Sequence, residues 1–432
     1  MTDRPLPRSL AAFLVATLCG LAPVARGADC TVTVGMVLEL TGTAGAYGQA
    51  AAKSLEMAFR DVNAAGGPHG CRIVTDTRDS QSQPTVAVDA ANQLVQIRKV
   101  PVLVGGIISS TTLPILTSVT APARIVQVSP AASSPRLTEL GRDGRSGGLF
   151  FRTITSDALQ GTVAARYALD QGMRRIAVIY VNNDFGTELE REFARAYRAL
   201  GGTIVVATPY NERQGSYAAE VSTTLGAGAE ALYLISTPVD GATIARSWIS
   251  QGGPRRMLLN DGMNSADFVA AVGAKYLNEA YGTSSGTTPS PSTAYFNAEY
   301  RAYAHLDPAS PAADRAYDAG ALVGLALAAA PRAEPAAIRA AMARVTDPKG
   351  TVVHAGKAEF ARALELLKAG KTVRYEGVIG PVAFDKAGDI TGPFRLWRIR
   401  DGAFTTVGEM SAESVAQLNA RLAPPQATGA RR

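Results

Sequence analysis

Histidine and cysteine are scarce in this chain, with three of each in 432 residues. His69, His305 and His354 stand apart, none with a second histidine at helical spacing, and read as surface or turn residues rather than metal ligands. The carboxylates are plentiful, yet none forms a spaced pair that acid/base work would demand. Long apolar runs are missing too: the one at the N-terminus, Leu10 to Ala22, is too short to span a bilayer comfortably. Runs of like charge are absent, and the Lys and Arg behind the net charge of +6 are scattered, which argues against a nucleic-acid partner. These gaps lead to the expectation of a non-enzymatic protein without metal or cofactor.

What is present points first to export. Arg4 and Arg8 precede the short apolar run, and small residues follow it to Gly27 and Ala28, the layout of a cleaved signal peptide over residues 1–28. Cys19 follows Leu18, not the small residue that a lipid-attachment site uses, so a soluble periplasmic chain starting near Ala28 or Asp29 is expected. Removal of that segment leaves Cys30 and Cys71, each just before a β-like run. If those runs are neighbouring parallel strands, an oxidising compartment would let the two cysteines pair; otherwise they are free thiols.

Hydrophobic content of 47% with 19% charged residues describes a globular chain, and its length fits about two or three units. Short β-branched runs at 31–38, 72–76, 100–104, 124–128, 175–181, 203–207, 230–235 and 256–259 alternate with Ala-rich stretches of helical period. That alternation predicts βαβ units and parallel sheets buried under helices, in two similar halves separated by the Gly-rich patch 141–148. A third section after about residue 282 adds helices and a β-rich end. Two α/β lobes with a chain crossing between them more than once, and a ligand cleft between, is the economical picture.

The stretch LVGGIISSTT, residues 103–112, ends a strand-like run in four hydroxyls, Ser109 to Thr112. Two more strand ends in the first half carry Thr41 to Gly48 and Ser129 to Pro135. Ligands of open α/β sheets bind beyond the carboxyl ends of strands, and hydroxyls and free amides at helix starts suit an anion such as a carboxylate. Helix capping is the competing role for the same residues. Gly42, Gly45 and Gly48 are spaced G-x-x-G-x-x-G, not G-x-G-x-x-G, which speaks against a dinucleotide. In the second half, Asp261 at a strand end could receive an ammonium group, with Tyr47 and Phe185 as apolar walls; Asp261-Gly262 is equally read as a plain turn.

The segments 34–48, 61–67, 130–133, 183–186 and 380–385 together resemble the leucine/isoleucine/valine-binding family of periplasmic solute receptors, over about residues 30–400. The resemblance implies the type I periplasmic binding fold: two Rossmann-like parallel-sheet lobes, residues 29–153 plus 284–379 and 154–283 plus 380–410, joined by a three-crossover hinge; the end of the sequence itself leads to the expectation of a disordered tail over 411–432. It implies closure around a small carboxylate, foremost an aliphatic amino acid, and delivery by a monomer to an ABC permease. Ser109 and Ser133 would hold the carboxylate beside Ser110 and Ala132. The Ala131 carbonyl and Asp261 would take the ammonium, and Tyr47 would lie near the ligand. Phe185 stands where a tyrosine is frequent, and Ser236 and Thr237 replace a Gly-Tyr pair, so amides, urea compounds and aromatic acids stay open as ligands. A periplasmic sensor on the same fold is the alternative to a transport subunit.

Overall fold

The computed structural model describes residues 1–2 and 30–422. Apart from its first two residues the expected signal segment lies outside them, as does the chain after 422.

The first half runs β1 (Thr31–Leu38), α1 (Gly45–Ala64), β2 (Arg72–Asp79), α2 (Pro84–Asn92), β3 (Val102–Gly105), α3 (Ser109–Ile115), β4 (Val126–Ser129), α4 (Pro135–Arg142) and β5 (Phe150–Arg152). Its five strands are all parallel, in the order β2-β1-β3-β4-β5. The second half runs α5 (Asp157–Asp170), β6 (Arg175–Val181), α6 (Gly186–Ala199), β7 (Thr203–Tyr210), α7 (Ala218–Leu225), β8 (Ala231–Ile235), α8 (Pro238–Ser250), β9 (Met257–Leu259), α9 (Ala266–Val272) and β10 (Ala280–Ser285). Its parallel strands wind in the same way, β7-β6-β8-β9-β10. The α/β fold with two parallel-sheet lobes is therefore the fold found. Its strands are continuous apolar runs because helices cover both faces: β3, β4 and β8 are buried at every position.

The chain then returns to the first lobe with α10 (Pro291–Ala304), α11 (Ala313–Ala329), α12 (Pro335–Val345), β11 (Thr351–Val353), α13 (Lys357–Lys368), β12 (Val373–Gly377) and β13 (Gly380–Pro381). Helix α11 lies on α1 at a distance only glycine allows. A Cβ on Gly320 would come 2.9 Å from the Ala58 Cβ, and one on Gly324 would come 2.8 Å from Val62. A third crossing brings β14 (Phe394–Arg400) antiparallel onto β10, followed by β15 (Ala403–Met410) and α14 (Ala412–Leu422).

That last helix departs from the expected tail over 411–432. Val415 is buried, Arg195 donates to the Leu422 carbonyl at 2.8 Å, and Thr162 donates to Asn419 at 3.0 Å, so α14 is seated against α5 and α6. β1 and β2 are neighbours in register, and a disulfide joins Cys30 to Cys71 at their starts. The three crossings run side by side: the Thr153 hydroxyl donates to the Arg315 carbonyl (2.8 Å), the Thr155 and Ser285 hydroxyls bond each other, and the Gly286 N–H donates to the Pro393 carbonyl (2.7 Å).

Candidate functional site

In each sheet the winding reverses between two neighbouring strands, β1 and β3 in one and β6 and β8 in the other. Loops diverge there and leave a crevice at the carboxyl ends of the strands. The two crevices face each other across one cavity of about 370 Å³. The first lobe contributes Tyr47, Ser109, Ala131 and Ser133, and the second contributes Phe185, Ser236, Thr237 and Asp261. Of the residues singled out in the sequence, Ser110 and Ala132 are not in that wall. Ala132 is fully buried and packs with Leu113, Leu116 and Leu137, while Ser110 sits buried in the first turn of α3. Each is the immediate neighbour of a lining residue, and successive side chains on a tight turn point apart.

The hydroxyls of LVGGIISSTT divide their work. Thr112 bonds back to the Ile108 carbonyl at 2.9 Å, as a residue in a helix start does. Thr111 donates to the buried Glu39 carboxylate, which also accepts the Ile107 N–H at 2.9 Å. Glu39 thus clamps the loop from beneath, and its own carboxyl is pushed up to about 7 by burial, against those hydrogen bonds. Gly48 allows this layer to form, because a Cβ there would lie 2.0 Å from the Glu39 carbonyl oxygen. Only Ser109 of the four reaches the cavity. Its oxygen accepts the Ser134 N–H at 3.1 Å, which leaves its own proton free to donate.

Ser133 has the opposite polarity. Its hydroxyl donates to Asp157 at 2.8 Å, so with that carboxylate ionised its lone pairs are what it offers the cavity. Asp157, at the first turn of α5, is fully buried, and burial followed by the charge of Asp261 drives its carboxyl well above the usual range. Asp261 is raised as well, chiefly by burial. With its amide turned to satisfy both neighbours, Gln160 donates to Asp157 at 3.3 Å and accepts the Asp261 N–H at 3.2 Å. This corner gathers acids and acceptors, an environment complementary to a cation. Thr237 Oγ1 and Asn260 Nδ2 in the same cavity have no hydrogen-bond partner among the described residues.

Arg152 supports the first-lobe wall from behind. Fully buried, it donates to the carbonyls of Ala132 (3.0 Å) and Ser134 (3.1 Å) and pairs with Asp389 at 2.7 Å, fixing the loop that turns Ala131 and Ser133 toward the cavity. The lobes touch across the cleft: the Tyr47 hydroxyl donates to the Gly262 carbonyl, Arg213 to the Gln81 carbonyl at 3.0 Å, and Arg136 pairs with Asp184 at 3.5 Å. The cleft is closed.

The profile of the family described as "Periplasmic binding protein" matches residues 31–403. The chain belongs to the periplasmic binding proteins. Among curated relatives of this periplasmic binding protein, the chemotactic signal transduction system substrate-binding protein BasB of Halobacterium salinarum is 27% identical over 87% of this chain and 88% of its own. The Leu/Ile/Val-binding protein BraC3 of Rhizobium johnstonii is 28% identical over 91% and 98%. Among solved structures, the branched-chain amino acid transporter substrate binding protein LivJ from Streptococcus pneumoniae, in complex with isoleucine, superposes with a TM-score of 0.72 at 22% identity, covering 88% of this chain and 99% of that one. The family places the chain outside the cytoplasm, and no helix among the described residues is long and apolar enough to cross a membrane.

Sequence reasoning missed Asp157, Gln160, Arg152 and Arg315 of this periplasmic binding protein. Ser156 caps α5, so Asp157 reads as an ordinary acidic first-turn residue, and only its position after a lobe crossing could have set it apart. Arg315 enters the wall from a helix far along the chain, with no local signal.

Proposed function

We propose that this protein is the extracytoplasmic solute-binding receptor of an ABC transporter, taking a small amino acid into the cleft and having no enzymatic role. The observation that carries the reading is that the cavity wall offers both a free donor and an acidic corner. The first-lobe wall presents the free hydroxyl proton of Ser109, while Ser133, which donates to the buried Asp157 behind it, and Asp261 of the second lobe make the acidic corner. A zwitterion matches both: its carboxylate accepts from Ser109, and its ammonium donates to Ser133, to the Ala131 carbonyl and to Asp261. Charge-assisted bonds of this kind contribute about 1.5–3 kcal/mol each. Tyr47 and Phe185 supply the apolar walls, and Ser236 and Thr237 the polar one. Because the ligand touches both lobes, it stabilises the closed form by its differential affinity for it.

The test is a thermal-shift screen of the mature, ligand-stripped protein against amino acids, amides, urea compounds and aromatic acids. A ligand at a hundred times its Kd adds about 2.7 kcal/mol, a readily measured rise in Tm. A shift with an α-amino acid, and none with the acid lacking its amine, is the expected result; shifts only with amine-free acids would remove the ammonium role of Asp261. The similarity to BasB favours one second reading, in which the same binding event feeds a membrane sensor instead of a permease. Co-purification with a permease or with a receptor kinase separates the two.

A further inference from the structure

The hinge end of the cavity holds a feature that a leucine-like side chain does not use. Arg315, at the start of α11, and Arg395, on β14, both line it, one from each lobe. Arg315 is 8% exposed, donates to the carbonyls of Ser285 (2.9 Å) and Gly286 (3.1 Å), and pairs with Asp314 at 2.6 Å, yet its Nε has no partner. Arg395 is half-buried and its side chain has neither hydrogen bond nor ion pair among the described residues; its Nε is buried and unpartnered. Its guanidinium is held below the usual range, first by burial and then by the charge of Arg315, against the opposing charges of Asp314 and Glu409. Glu409 lies opposite Arg395 in the β14–β15 register and also lines the cavity, without forming an ion pair with it.

A buried guanidinium N–H without an acceptor is costly. The group that satisfies its planar fork best is a carboxylate. We infer that this arginine pair is a subsite for a second anionic group, the distal carboxylate of an acidic amino acid whose α-carbon end occupies the Ser109, Ser133 and Asp261 corner. The inference rests on the zwitterion reading above and narrows its ligand class. Lobe closure then brings Arg395 and Arg315 together on one acceptor, so the distal group contributes to holding the cleft shut.

The experiment is isothermal titration of the ligand-stripped mature protein with aspartate, glutamate and 2-aminoadipate, each beside its neutral counterpart (asparagine, glutamine, norleucine), and with glutarate. One of the acids is expected to bind about tenfold or more tightly than its neutral counterpart, as a charge-assisted bond implies. R395M should erase that preference, and R395K should restore part of it. The wild-type comparison stands even if a variant fails to fold. Neutral amino acids binding as tightly as every acid would overturn the subsite and leave the zwitterion reading intact. Glutarate binding without any amino acid would remove the zwitterion corner and keep the arginine pair. Binding of none of them overturns both.

Discussion

Asp261→Asn separates a ligand-binding carboxylate from a turn residue, because the two roles predict opposite effects on the free protein. Asp261 lines the cavity, its carboxyl is raised chiefly by burial, and Asp157 adds a second raised acid beside it. A raised acid holds its proton more tightly folded than unfolded, so its contribution to stability falls as pH climbs from the ordinary carboxylate range through the folded pKa. Replacing it with a neutral isostere removes that cost, and the ligand-free variant should melt higher than wild type at neutral pH, with the difference vanishing in acid. Binding goes the other way. Loss of one charge-assisted bond of about 1.5–3 kcal/mol corresponds to roughly a 10- to 150-fold weaker Kd for an amino acid. In the wild type the same linkage makes affinity for an ammonium ligand fall as pH drops below the raised pKa values, and binding should release protons. The assays are differential scanning calorimetry without ligand and titration calorimetry in two buffers of different ionisation enthalpy. A variant that melts lower and binds an amino acid as the wild type does would refute the argument, and Asp261-Gly262 would revert to a turn.

Three further perturbations test the frame around the site. Tyr47→Phe deletes the hydroxyl bridge to the Gly262 carbonyl; the loss of about 1 kcal/mol should open the unliganded cleft and weaken ligand binding about fivefold, read by small-angle scattering and titration. Reduction of the Cys30–Cys71 bond frees a loop of 41 residues, and chain entropy predicts a stability loss of about 4 kcal/mol in denaturant melts, with no change in the sheet order. Glu39→Gln removes an acid raised from 4.5 to about 7. Wild-type stability should decline across that pH range by about 3 kcal/mol relative to the variant, and parallel pH profiles would show that Glu39 is not clamped beneath the loop.

The fold was legible because parallel strands covered on both faces must be apolar at every position, and runs such as ALYLI at β8 admit few other readings. The position of the site was legible for a related reason: strand ends at a reversal of winding collect loops, and the Ser109, Ser133 and Asp261 loops follow β3, β4 and β9 directly. Polarity within the site was not. Ser109 and Ser133 carry the same side chain, yet one accepts a backbone N–H and keeps its proton free, while the other gives its proton to an acid beyond a lobe crossing. Partners separated by a lobe crossing, such as Asp157, Arg315 and Arg395, leave no local pattern. The helix α14 was hidden because its apolar contacts, Val415 among them, are few and find their partners on α5 and α6, far back along the chain.

The threefold crossing of the chain has a consequence for the order in which the molecule can be completed. The first lobe takes its covering helix α11 and its small sheet from residues beyond the second crossing, and the second lobe takes β14 from residues beyond the third. A ribosome emitting the chain from its N-terminus therefore cannot finish the first lobe before β13 has emerged, nor the second before β15. Until then β10 is left as a bare edge, and α1 shows water the apolar face that α11 will later cover. Such distant pairings also fold slowly. A polypeptide that stays open until almost all of it exists is one that can still be threaded, extended, through a narrow translocation pore.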